Sequence, residues 1–256
     1  MNKAYYRDRN VKLYLGDTFK VLDNLPSKSV NMIFADPPYF LSNNGITCQS
    51  GKMVSVNKAN WDETNMTLQE KIKYNYRWIK KCKRILKDDG TIWISGTMHN
   101  IFIIGVALEK AGFQIINNVT WQKTNPPPHL AKKAFTHSTE TLLWARKKGE
   151  KSYFNYDLMK SLNNNKQMKD VWQFSLTKPS EKRFGKHPTQ KPIELLKRIV
   201  LATTKTGDIV LDPFSGSGTT GVAARMLHRN YIGIDSKSDY LDLSVQRIQN
   251  IGEVNV

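Results

Sequence analysis

The sequence predicts a doubly wound α/β domain on a mostly parallel sheet. Strand-like and helix-like patterns alternate along most of the 256 residues, as expected when helices cover both faces of a sheet. Two motifs punctuated by proline and glycine fall at strand carboxyl ends, Asp36 to Tyr39 and Asp212 to Gly218, which is where such sheets hold ligands. The length suffices to bury a sizeable core in one domain with an insertion.

Val11 to Gly16 alternates as a strand, ends at Asp17 and leads into a short helix, Phe19 to Leu25. Val30 to Ala35 is the next strand. Thr67 and Glu70 form a capping-box signature, followed by Ile72, Tyr76, Ile79, Cys82 and Leu86 at helical spacing. Gly90 reads as the stop of that helix, Thr91 to Ser95 as a strand, and Asn100 to Ala111 as a helix closed by Gly112. Phe113 to Gln122 and Thr141 to Arg146 read as an antiparallel pair at one sheet edge, because no helix separates them. Lys147 to Lys186 reads as irregular. A helix from Pro192 to Thr203 precedes a buried strand from Asp208, a glycine turn and a helix through Val222, Ala223 and Met226. Tyr231 to Asp235 is the last strand and Tyr240 to Ile248 the closing helix.

Asp36-Pro37-Pro38-Tyr39 combines a carboxylate, stiffened carbonyls and an aromatic ring. Proline fixes its own φ and restricts the residue before it, so the carbonyls point in a defined direction. The set suits gripping a planar exocyclic amine, stacking on its base and accepting its proton; Phe40 is a second candidate for the ring contact. The glycines of Phe214-Ser215-Gly216-Ser217-Gly218 permit close backbone approach to a ligand. The turn lacks the third glycine of a dinucleotide fingerprint and the Gly-Lys-Ser/Thr of a P-loop. Asp235 follows about 20 residues on, the place of a ribose-binding acid. Together these features point to a nucleoside-like cofactor without a pyrophosphate.

On these motifs the chain resembles the S-adenosylmethionine-dependent DNA amino-methyltransferases in which D-P-P-Y precedes F-x-G-x-G, the beta group. The likeness extends through Trp121 to Pro126, Thr136 to Thr141 and His187-Pro188-Thr189-Gln190-Lys191-Pro192. Within that family it runs to the second methyltransferases of DpnII-type restriction systems, GATC-specific adenine-N6 enzymes that also accept single-stranded DNA. The resemblance implies a seven-stranded, circularly permuted methyltransferase sheet with an inserted target-recognition region, the two chain ends lying on one side of it. Residues 1–125 would be the catalytic half, with a mobile loop at about 41–62; 126–186 an edge strand and the recognition region; 187–256 the cofactor-binding half.

The implied catalytic residues are Asp36, Pro37, Pro38 and Tyr39. S-adenosylmethionine would be held by Asp212, Pro213, Phe214, Gly216, Ser217, Gly218 and Thr219, its ribose by Asp235 and its adenine by Asp17, for which capping the next helix is the lesser alternative. Thr189 and Lys191 fit the methionine carboxylate, and equally a helix cap and a solvated charge.

The 39 basic and 22 acidic residues give a net charge of +17, for which a polyanion is the natural partner. From Trp121 to Lys191 there are 15 basic and 5 acidic residues, interleaved with Trp144, Tyr153, Phe154, Tyr156, Trp172, Phe174 and Phe184. Recognition of DNA is expected mainly from about Pro126 to Lys186, with Lys123, Lys132, Lys133, Arg183 and Lys186 as candidate contacts. His137 and His187 read as packing or phosphate contacts, and no metal is expected. Cys48 and Cys82 are too few for a zinc site, and neither follows a proline as the nucleophile of cytosine-C5 enzymes does. No secretory or membrane-spanning run is present, so a cytoplasmic protein is expected, and the resemblance implies a bacterial or phage origin. A monomer and a homodimer both stay open. Cytosine-N4 methylation, often with serine in place of Asp36, and an inactive DNA-binding regulator are the alternatives; Asp36 and the intact motifs favour adenine and activity.

Overall fold

The computed structural model describes residues 3–40, 46–49, 52–55 and 66–251; most of the expected loop at 41–62 lies outside them. The strands are β1 (Tyr6–Arg7), β2 (Val11–Leu15), β3 (Val30–Ala35), β4 (Ile46–Gln49), β5 (Lys52–Ser55), β6 (Leu86–Gly96), β7 (Phe113–Lys123), β8 (Thr139–Lys147), β9 (Val171–Phe174), β10 (Ile209–Asp212) and β11 (Asn230–Asp235). The helices are α1 (Thr18–Asn24), α2 (Leu68–Ile85), α3 (Ile101–Lys110), α4 (Tyr156–Ser161), α5 (Ile193–Thr203), α6 (Thr219–Met226) and α7 (Ser238–Gln249).

Nine strands form one sheet in the order β1-β2-β11-β10-β3-β6-β8-β7-β9, and β4 pairs with β5 separately. The middle seven are the expected methyltransferase sheet, extended by β1 and β9. From β2 to β6 every pairing is parallel, whereas β6–β8 and β8–β7 are antiparallel. The expected antiparallel pair is therefore present, but β8 lies inside the sheet and β9 is outermost. The stretch expected to be irregular contains α4, β9 and a 3-10 turn, Pro179–Lys182. Gly90 does not end α2 either: the helix stops at Ile85 and Gly90 is a residue of β6.

Side-chain alternation explains why both sheet faces are covered. Ile33 and Ala35 of β3 join a core with Trp78, Ile79 and Cys82 of α2 and Ile104 of α3. Met32 and Phe34 face the opposite core, with Leu196 and Ile199 of α5 and Val222 of α6. In that second core Trp93 of β6 stacks on Trp144 of β8, centroids 5.1 Å apart and planes 3° from parallel. Trp172 is buried beside them, and Phe154 packs on Trp144. Trp144 and Trp172, which the sequence pattern placed in a recognition surface, thus build the core instead, whereas Phe154 and Tyr156 stay exposed.

Two features position the site. Thr67 caps α2 reciprocally with Glu70, fixing where that long helix begins. β3 and β10 are parallel neighbours, and the chain proceeds from them in opposite directions across the sheet. Their carboxyl ends flank the topological switch point, where a crevice must open. The last helix returns to the first strand: Tyr5 Oη donates to Asp242 Oδ1 at 2.7 Å, and Gln249 Nε2 to Tyr6 Oη at 3.4 Å.

Candidate active site

A cavity of about 270 Å³ occupies that crevice, lined from one side by Asp36 and Pro38 and from the other by Asp212 to Ser217 and Thr219. The two motifs therefore share one space, although they are far apart in sequence. Asp17, Thr189, Lys191 and Asp235 also line it, whereas Pro37, Tyr39 and Gly218 do not.

Asp36 is the first residue past β3, and both its carboxylate oxygens are engaged. Tyr39 Oη donates to Oδ1. Lys191 Nζ donates to Oδ2 at 2.6 Å and to Tyr39 Oη at 2.9 Å. Lys191 is thus no solvated charge: its side chain is 7% exposed, and Glu140 Oε2 lies 3.5 Å from its ammonium. Burial alone would lower the Lys191 pKa, but Asp36, Tyr39 and Glu140 outweigh it and hold it well above the ordinary lysine value. Burial and the Asp36 charge push the Tyr39 phenol up, so it stays a hydrogen-bond donor. Tyr39 is buried with its hydroxyl on Asp36, rather than laid open for stacking. Phe40, at φ 58°, is likewise buried, edge-on to Tyr74.

The glycine turn is held from several directions. Asp212 ends β10, accepting from Thr220 Oγ1 at 2.6 Å and from the Phe214 amide at 3.0 Å. Burial pushes its carboxyl up to about 7. Pro213 is tied to α1 through Thr18, whose hydroxyl donates to its carbonyl at 2.7 Å. Gly216, at φ 50°, lies against the His187 ring, and its amide donates to Asp235 Oδ2 at 2.8 Å. Gly218, at φ 70°, serves packing: a Cβ there would sit 2.6 Å from Ser244 Oγ. Arg247 Nη1 donates to the Ser217 carbonyl at 2.7 Å and to Thr219 Oγ1 at 2.9 Å, pinning the turn from α7. No local pattern in the sequence marks that role.

Asp17 caps α1, accepting from the Lys20 amide at 3.0 Å, while still facing the cavity. Thr189 donates through its amide to His187 Nδ1 at 3.3 Å. His187 itself packs edge-on against Tyr240. Burial lowers its pKa to about 4, so near neutral pH it is an uncharged lining group. Phe19 and Tyr74 add an aromatic pair at 5.4 Å beside Asp17.

The expected DNA contacts separate into two kinds. Lys132, Lys133, Arg183 and Lys186 are exposed, Arg183 lying over the Phe184 ring. Lys123 instead pairs with Glu140 at 2.9 Å, both side chains largely buried. Among the described residues no cluster of three or more His, Cys, Asp or Glu is gathered for a metal ion, and no helix is long and apolar enough to cross a membrane.

The cavity suits S-adenosylmethionine. It offers carboxyls for a cationic ligand with ribose hydroxyls, aromatic faces for a purine and a glycine turn, and the turn carries no phosphate-binding lysine. Fold and site together define an S-adenosylmethionine-dependent methyltransferase. A family model, N6_N4_Mtase, described as DNA methylase, matches residues 30–246, and the chain belongs to that DNA methylase family. It is 56% identical to the type II methyltransferase M2.DpnII of Streptococcus pneumoniae, covering 100% of this chain and 96% of that one. It is 48% identical to M2.MboI of Moraxella bovis, covering 98% and 93%. Among solved structures it matches the M1.HpyAVI–SAM complex with a TM-score of 0.70 and 30% identity, covering 93% and 98%. The PvuII cytosine-N4-specific DNA methyltransferase shares the fold, with a TM-score of 0.78 at 20% identity over 99% and 94%.

Proposed function

We propose that the enzyme methylates N6 of adenine in DNA, within GATC, as the modification arm of a restriction system. Single-stranded DNA is proposed as a second substrate. The observation that carries the reaction is the shared cavity: Asp36 and the Asp212–Thr219 turn face one space at the junction of β3 and β10. GATC follows from the likeness to the second methyltransferases of such systems.

When bound, S-adenosylmethionine supplies the electrophilic methyl. Asp36 accepts a hydrogen bond from an N–H of the target amine, favouring a tetrahedral nitrogen whose lone pair is free to attack in line. Pro37 is buried off the cavity lining and serves to stiffen the segment that carries Asp36. Asp36 or water takes the released proton, assistance typically worth ~10²–10⁴ in rate. The target base must leave the duplex, at a cost of a few kcal/mol. Asp212 and Asp235 hold the cationic and ribose parts of the cofactor, with Asp17 and its aromatic neighbours at the purine.

Transfer of tritium from labelled cofactor to duplexes with GATC, or with one base changed, tests the reading. N6-methyladenine confined to GATC supports it. N4-methylcytosine, or label only in RNA, would remove it. A matching single strand tests the second substrate, and the mass of the enzyme in solution decides between monomer and homodimer.

Two further outcomes are expected. Because Asp212 is raised to about 7, its charge is absent below that pH. Cofactor affinity should therefore strengthen as pH rises from 6 to 8, the pH range about that value, and lose this dependence in Asp212→Asn, by calorimetry. The linked stability has the opposite sign. The folded state holds a proton that the unfolded carboxylate releases, so stability falls as pH rises from the ordinary carboxylate value towards 7 and is level above it. Replacing exposed Lys132 and Lys133 with alanine should reduce the salt slope of DNA binding by up to about 2, equally for GATC and other duplexes. An unchanged slope would remove both from the phosphate contacts.

A further inference from the structure

We propose that Lys191 is a latch on Asp36, and that Glu140 is the second carboxylate onto which its ammonium moves when the target amine docks. The inference rests on the reading of Asp36 as the acceptor of that amine.

With Tyr39 on Oδ1 and Lys191 on Oδ2, each Asp36 oxygen keeps one further acceptor site, but the adjacent ammonium draws off the negative charge an amine would use. An incoming N–H therefore competes with both for that charge. Tyr39 is the harder to move, being a buried ring on a proline-stiffened segment, also 3.4 Å from Ser95 Oγ. Lys191 has a long flexible stem, but a buried ammonium cannot be left without a counter-charge. A landing place is already built. Glu140 Oε2 is buried and, apart from a long ion pair with Lys191 Nζ at 3.5 Å, has no partner. A shift of less than about 1 Å would bring the two to charge-assisted hydrogen-bond distance.

Glu140 is well fixed for this role. Its other oxygen is held by Lys123 at 2.9 Å, and Lys123 also lies over the Trp121 ring, 5.4 Å from its centroid. Trp121 and Glu140 are register partners across β7 and β8. The two ammonium groups and two carboxylates balance before and after the move, so no proton need be exchanged. Glu140 is therefore a positioning residue, acting through Lys191.

Single-turnover methylation of a GATC duplex tests the latch. Glu140→Gln keeps the shape but removes the charge that draws Lys191 away, so the rate should fall about tenfold or more, with cofactor affinity unchanged. In a Lys191→Met background the same change should cost less than about twofold, a non-additive cycle. Lys191→Arg retains a cation that can grip Asp36 bidentately, so it should be slower than Lys191→Met, the reverse of the usual order for a conservative change. This comparison stands even if Glu140→Gln fails to fold. Equal cost of Glu140→Gln in both backgrounds, no cost in either, arginine faster than methionine, or an inactive Lys191→Met would each overturn the latch. If the wild-type enzyme makes no N6-methyladenine, the reading of the reaction fails; if it does and the cycle is additive, only the latch fails.

Discussion

Asp36→Ala is expected to reduce methyl transfer by about 10³-fold or more while leaving DNA binding largely intact, since general-base assistance alone is worth ~10²–10⁴. In the proposed mechanism this carboxylate, at the cavity wall, both accepts the amine proton and orients the nitrogen. Its loss removes polarisation and alignment together. The fold should survive, because the buried Lys191 ammonium still has Glu140 within reach. Among the described residues the basic partner of Asp36 is the buried Lys191, so affinity for duplex DNA, read by fluorescence anisotropy, should stay near wild type. Single-turnover transfer at near wild-type rate would sink the mechanism.

Gly218→Ala should destabilise the protein by about 2–5 kcal/mol, combining left-handed strain of roughly 1–2 with overpacking of roughly 1–3. The residue sits at φ 70°, and its new Cβ would lie 2.6 Å from Ser244 Oγ and 3.0 Å from the Ser244 Cα, which is backbone and cannot rotate away. Cofactor affinity should fall too. Ser244 Oγ donates to the Gly216 carbonyl at 3.0 Å, and Arg247 holds the adjacent Ser217 carbonyl, so any shift there is passed to the turn. Gly149→Ala is the matched control. That glycine has φ 85° but nothing within 4 Å of the added carbon, so only the strain should appear. Equal losses in the two variants, by urea unfolding, would show that Ser244 yields freely.

What the sequence made legible was governed by local rules. Val30–Ala35 and the turn after β10 were readable because apolar runs end in residues with restricted backbone choices. The cap at Thr67 was readable because three-residue spacing defines it. Gly90 misled because a glycine at the end of a helical pattern resembles a stop. It stands instead where a Cβ would meet the Asn31 carbonyl at 2.7 Å, a close approach between strands. Basic residues interleaved with aromatics suggested a stacking surface, but Trp144 and Trp172 belong to one buried cluster with Trp93. The charge network was hidden for a different reason. Lys191 meets Asp36 across 155 positions, and Glu140 meets Lys123 only through the pairing of two strands. Neither has a periodicity that announces burial.

The order of the strands also governs how the enzyme is born. β2 and β3 leave the ribosome early, yet in the finished sheet they are separated by β11 and β10, which come last. During synthesis, amino-terminal segments fold first where they can. Here β2 and β3 have no strand joining them until β10 and β11 are made, so the sheet can close only when those central strands pair. A nascent chain would therefore carry Asp36 to Tyr39 long before the Asp212–Thr219 turn that completes the shared cavity, and the cavity would form in a single late step.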